Sequence, residues 1–108
     1  MADPRPLNAL LGQGARYEGS LSFEGRVRVD GEFHGTITTD DLLEIGLTGS
    51  VEGEIDAAQV VVAGSVDGTL RVRESLRLEA TARVAGRIEA TRMHVEPGAR
   101  IEAAVEVG

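Results

Sequence analysis

A five-residue pattern returns along this chain at a nearly fixed interval, and that interval limits the fold more than any other feature. It reads Val51-Glu52-Gly53-Glu54-Ile55, then Val66-Asp67-Gly68-Thr69-Leu70, then Val84-Ala85-Gly86-Arg87-Ile88. Looser copies precede these at Tyr17-Glu18-Gly19-Ser20-Leu21 and Phe33-His34-Gly35-Thr36-Ile37, and a degenerate one follows at Ile101-Glu102-Ala103-Ala104-Val105. Successive starts lie 16, 18, 15, 18 and 17 residues apart. A period of this size is the mark of one structural unit stacked on itself.

The unit is built of strands. From Ala15 onward the apolar residues alternate, as in Leu21 and Phe23, Val27 and Val29, Val60 and Val62, and Leu76 and Leu78. That is the period of a strand with one buried face. Within each pentad the first and fifth residues point one way and the second and fourth the other. Val51 and Ile55 therefore face the core, Glu52 and Glu54 face water, and the glycine permits close approach. A finer period of six runs through Leu21, Val27 and Phe33, through Val60, Val66 and Val72, and through Val95, Ile101 and Val107. Three sixes make a three-sided coil of about eighteen residues, with small deletions at its corners. Asp40-Asp41, Ala63-Gly64-Ser65 and Pro97-Gly98 are the corner signals. The predicted fold class is all-β, a parallel β-helix of about six coils. The spacing alone does not set its hand, since left-handed hexapeptide helices also repeat every six residues.

Tyr17, Phe23 and Phe33 are the only aromatic residues, so the core is made of small aliphatic layers. With no cysteine there is no disulfide and no thiolate metal site. No run reaches the ~20 apolar residues of a membrane span, and the N-terminus lacks a signal peptide's pattern; a cytoplasmic protein is expected. A net charge of −7 argues against direct nucleic-acid binding. The charge is also segregated. Residues 29–70 carry nine acids and no base, whereas residues 71–100 carry seven arginines against four acids. Such a surface keeps a rod soluble, and it also offers lateral or end-to-end attraction between molecules.

Residues 1–13 fall outside the repeat and form a flexible N-terminal tail, with the core running from 14 to 108. Pro4 and Pro6 disfavour helix before Leu7. Leu7, Leu10 and Leu11 would share one face of a short helical turn, and they are the candidate membrane contact.

The two ends carry the functional argument. A solenoid needs a cap over each terminal coil. Ile101, Val105 and Val107 are inward-type residues in the last coil, and Tyr17, Leu21 and Phe23 are their counterparts in the first. An uncovered strand edge is a template for more strands, and contacts that repeat without closing give filaments. These six residues are the candidate polymer interface. Catalytic chemistry has less support. His34 and His94 both occupy outward positions and neither has metal-ligand spacing. The carboxylates form ladders on strands, whereas acid–base catalysis needs a convergent pair in a cleft. Gly12-Gln13-Gly14 neither follows a strand nor opens a helix, so no nucleotide loop is indicated. No cofactor, metal or enzymatic activity is expected.

The run from Leu11 to Ile37, LGQGARYEGSLSFEGRVRVDGEFHGTI, closely resembles the opening of the bactofilin core, and the later Val-x-Gly-x-Ile copies extend the likeness to residue 108. The stretch from Gly19 to Gly35 is its most specific part. The resemblance implies a bacterial cytoskeletal protein with a right-handed, three-sided β-helix. Such a protein polymerises end to end, without nucleotide, into non-polar filaments. It further implies roles in cell shape, polarity, wall synthesis or chromosome placement, often on the inner face of the membrane through a short apolar N-terminal segment. The implied partners are the chain itself, inner-membrane lipid, and cell-wall or polarity proteins. Two alternatives stand beside it: a hexapeptide-type acyltransferase or carbonic anhydrase on a left-handed coil, and a non-polymerising membrane scaffold.

Overall fold

The computed structural model of the chain describes the backbone of residues 7–108 and the side chains of residues 12–108 apart from Phe23. Nine strands occur among these residues and no helix. They are β1 (Leu7–Leu11), β2 (Arg16–Phe23), β3 (Arg26–Val29), β4 (Glu32–Thr39), β5 (Leu42–Ile45), β6 (Ser50–Val62), β7 (Ser65–Leu78), β8 (Arg83–Val95) and β9 (Arg100–Val107). Every pairing between them is parallel, and the result is a β-solenoid.

Two ladders make up the wall. The first stacks β2, β4, the front halves of β6, β7 and β8, and then β9. It holds the pentads in register, as Tyr17, Phe33, Val51, Val66, Val84 and Ile101. The second stacks β1, β3, β5 and the back halves of β6, β7 and β8. Val27, Leu43, Val60, Leu76 and Met93 run down it, beside Val29, Ile45, Val62, Leu78 and Val95. The inward positions of both ladders merge into one buried aliphatic core in which Phe33 is the largest side chain.

The coils have three bends. A thirteen-residue strand such as β6 would run about 43 Å if straight, yet the molecule measures 35 × 27 × 24 Å. The strand therefore folds on itself. One break is the pentad glycine, which has positive φ in every rung from Gly19 to Gly86. A second is the register shift at Ala57/Gln59 and again at Val72/Ser75. The third is the turn between one coil and the next. The pentad is thus not one straight strand, as its alternation suggested. It turns a corner at its glycine.

This arrangement explains the uneven spacing. The coil-to-coil turn holds two residues between Val62 and Ser65 but four between Leu78 and Arg83. The register-shift corner holds Ala58 alone in one coil, and Arg73 and Glu74 in the next. Those changes account for intervals of 15 and then 18. The glycine corner never changes length.

Thr39 is the one buried polar side chain among the described residues. Its hydroxyl donates to the Gly25 carbonyl at 2.7 Å and accepts from the Asp41 N–H at 3.3 Å. Its own carbonyl accepts from Arg73 Nη2 at 2.8 Å. Thr39 therefore ties three segments at the register-shift corner. Thr39→Val keeps the volume and removes both hydroxyl bonds. It is expected to cost about 1–2 kcal/mol in urea unfolding; an unchanged midpoint would show that water replaces the hydroxyl there.

β1 departs from the expectation for its segment. Where the spacing of Leu7, Leu10 and Leu11 suggested a turn of helix, the backbone is a strand paired with β3. The parallel edge of β3 offers ladder bonds that an isolated helical turn this short lacks. In that strand Leu10 takes the register position of Arg28 and Leu11 that of Val29. Residues 1–6 of the expected tail lie outside the described residues.

Candidate assembly interface

The column that buries a residue inside the stack exposes its successor in the last coil. Ile88 is 0% exposed, while Val105, its partner one rung on, is 44% exposed. Leu78 is likewise 0% exposed and its successor Val95 41%. Val107, which follows Ala90, is 53% exposed. Among the described residues four large apolar side chains are exposed, and these three are among them. The cause is geometric: each inward side chain needs a rung on both sides, and β9 has one on one side only. Ile101 and Ala103 are half-buried against the core for the same reason. So is Met93 in the second ladder.

β9 also presents a row of backbone N–H and C=O groups on its outer side, because among the described residues its ladder partner is β8 alone. Its outward charges do little to block that edge. Glu106 is drawn back to Arg87 at 3.4 Å, and β9 contains no proline. Ala103 stands where the five rungs before it have glycine, and among the described residues no non-glycine residue has positive φ. The last coil thus abandons the backbone conformation of the corner beneath it.

At the opposite end, Tyr17 pairs in register with Phe33 and Leu21 with Ile37. Both are half-buried and pack against the core. The Phe23 side chain lies outside the described residues, as do those of Leu7, Leu10 and Leu11. The structure therefore brings Ile101, Val105 and Val107 together on one end face, and Tyr17 and Leu21 near the other. Sequence reasoning missed Met93 and Val95, which share the C-terminal face from the second ladder. The six-residue spacing of Val95, Ile101 and Val107 carried that signal.

The two histidines lie on different ladders. His34 Nδ1 is 2.7 Å from Glu52 Oε2, one rung away on the first. His94 pairs in register with Arg77 on the second. Several other charged side chains are joined along the stack in this rung-to-rung manner. Arg28 meets Glu44, one rung on, at 3.5 Å and also Asp30 in its own coil at 2.9 Å, and Arg71 meets Glu89 at 3.2 Å. Arg77 Nη2 donates to Glu96 Oε1 at 2.7 Å, and that hydrogen bond holds the Glu96 carboxyl below the usual carboxylate range. No helix among the described residues is long and apolar enough to cross a membrane.

A family model described as "Bactofilin: Polymer-forming cytoskeletal" matches residues 9–106. Among solved structures, the chain is similar to the crystal structure of a point mutant of bactofilin from Thermus thermophilus. The TM-score is 0.73 at 32% identity, over 82% of this chain and 98% of that one. No curated protein matches the chain.

Proposed function

The chain belongs to the bactofilin family, and on that footing we propose that it is a cytoskeletal scaffold whose copies join through the end coils into filaments. The apolar face formed by Val95, Val105 and Val107 on the last coil carries the reading. A second copy is the natural cover, because it offers both apolar side chains and a strand edge of matching spacing. Burying the exposed remainder of three valines contributes about 1 kcal/mol each, whereas association costs at least about 4 kcal/mol. The side chains alone do not suffice. A ladder of backbone hydrogen bonds along β9, worth roughly 0.5–1.5 kcal/mol apiece, makes up the difference. Nothing in this addition calls for nucleotide. The candidate faces are Ile101, Val105 and Val107 at one end and Tyr17, Leu21 and Phe23 at the other, with like ends meeting in a non-polar filament.

The role is structural rather than catalytic. It places the filament in the cytoplasm, at the inner face of the membrane, where it organises cell shape, wall synthesis or polarity. Electron microscopy of the purified full chain without nucleotide tests the polymer. Unbranched fibres about one solenoid wide are expected, and a monodisperse monomer at high concentration would overturn the reading. Lipid contact falls to Leu7, Leu10 and Leu11, each worth at most about 1.5–3 kcal/mol when buried, so a filament binds by presenting many copies. Replacing Leu7 and Leu10 by Asp is expected to lower co-sedimentation with anionic liposomes severalfold while fibres persist. Equal sedimentation of both proteins would remove those leucines from the account.

A further inference from the structure

One wall of the solenoid differs from the other two in how its charges are satisfied. This wall carries the outward residues between the coil-to-coil turn and the pentad glycine. Going from the second coil to the sixth, the residue that opens each rung is Glu32, Ser50, Ser65, Arg83 and Arg100. The next outward position holds His34, Glu52, Asp67, Ala85 and Glu102. The wall is therefore acidic over its middle coils and carries two stacked arginines over its last two. Elsewhere most of the described arginines are paired with carboxylates, as Arg28, Arg71, Arg77 and Arg87 are, with Arg92 the exception. Here Glu32, Asp67, Arg83 and Arg100 form no ion pair with any described residue. Arg83 and Arg100 are direct ladder neighbours, and like charges in that relation repel.

The adjoining corner carries a second signal. Leu47 is 67% exposed at the turn between β5 and β6. It bounds one end of a shallow groove floored by Gly64, Ala80, Ala82 and Gly98 and edged by Arg83 and Arg100. A large apolar side chain thus stands at one end of the groove, and a shelf of small residues fills the rest.

We propose that this wall is a self-complementary lateral interface, through which two copies of the chain pack side by side and antiparallel. A two-fold axis makes each contact occur twice, with the same patch used on both copies. Centred on the fourth coil, it sets Glu32 against the other copy's Arg100 and Glu52 against its Arg83. The same operation carries Leu47, in the turn that opens the third coil, to the level of the other copy's Ala80 and Ala82, in the turn that opens the fifth. Asp67 lies near the axis, one rung from each Arg83. The charges and the apolar contact call for one register, although neither was used to choose the other. A parallel arrangement would place arginine beside arginine. The interface is separate from the end faces, so it joins filaments to one another rather than lengthening them.

The proposal rests on the filament reading only for its consequence in bundles, and its test does not need filaments. In a chain whose end is blocked by Val105→Arg, sedimentation at low salt is expected to show a dimer. That dimer should dissociate near 0.5 M salt, where the screening length falls below about 8 Å. Adding Arg83→Glu and Arg100→Glu is expected to weaken it at least about tenfold. Leu47→Asp is expected to weaken it without removing its salt dependence. Mixing the doubly acidic variant with an end-blocked Glu32→Arg/Glu52→Arg variant should restore pairing, as a heterodimer. An end-blocked protein that is monomeric at low salt, or reversed charges that neither weaken the dimer nor rescue each other, would overturn the interface. If the end-blocked dimer forms but the unaltered chain gives no fibres, the end-to-end reading fails and the lateral one stands.

Discussion

Gly53→Ala is expected to destabilise the protein by about 4 kcal/mol or more, which places it among the most damaging single changes. Two costs add. Gly53 has φ +126, a region essentially restricted to glycine, and holding an alanine there costs about 1–3 kcal/mol. A Cβ at Gly53 would also lie 2.9 Å from the Gly35 carbonyl carbon and closer still to its oxygen. Gly35 cannot withdraw, because its coil is fixed to its neighbours by parallel ladders on both sides. The same obstruction recurs at Gly68 against Gly53 and at Gly86 against Gly68. Gly19 supplies the control. It has φ +127 but nothing within 4 Å of a Cβ, since β2 opens this ladder. Gly19→Ala should carry the backbone cost alone, about 1–3 kcal/mol. Urea unfolding followed by circular dichroism separates the two. Equal losses at both sites would mean that the stacked carbonyl is not what excludes the side chain.

Those glycines also mark how far the sequence could be read. Their presence in five of the six pentads was plain, and so were the inward Val and Ile around them. The reason for them was not. Alternation counts a glycine as one more residue on a straight strand, whereas its positive φ ends one wall and begins the next. A side chain that is absent leaves no pattern from which a corner can be inferred. Asp40-Asp41, Ala63-Gly64 and Pro97-Gly98 were legible as corners because turn chemistry names its own residues. β1 was misread for a related reason. Leu7, Leu10 and Leu11 fit a helical face in isolation, but the edge of β3 that captures them is nineteen residues distant at Leu7↔Arg26. Local spacing does not report such a partner. The end face was better specified. Ile101, Val105 and Val107 were visible as inward-type residues of the last copy of the repeat, while Met93 and Val95 required the second ladder to be placed in register with the first. The unpaired wall was legible only as a charge imbalance between halves. Which arginines lack partners depends on which carboxylates lie one rung away.

Val105→Arg is expected to abolish end-to-end assembly while leaving the solenoid folded. The residue occupies the core column but lies half in water, so its arginine can extend its guanidinium outward without a buried charge. Its effect on unfolding should be small, roughly within 1 kcal/mol, as for other surface changes. Its effect on assembly should be large. A guanidinium on that face meets the apolar side chains of an incoming copy, and in a symmetric end contact it also meets its own counterpart. Burying an unpaired charge costs several kcal/mol, more than the three valines contribute. Polymer-forming concentration should therefore rise by at least about a hundredfold, which electron microscopy and pelleting would read as loss of fibres. Ile88→Arg, one rung inside in the same column, is the necessary contrast. Ile88 is fully buried, so there the charge should unfold the chain. The two outcomes together distinguish an interface from a core. Fibres persisting in Val105→Arg, with circular dichroism unchanged, would place the polymer contact elsewhere on the molecule.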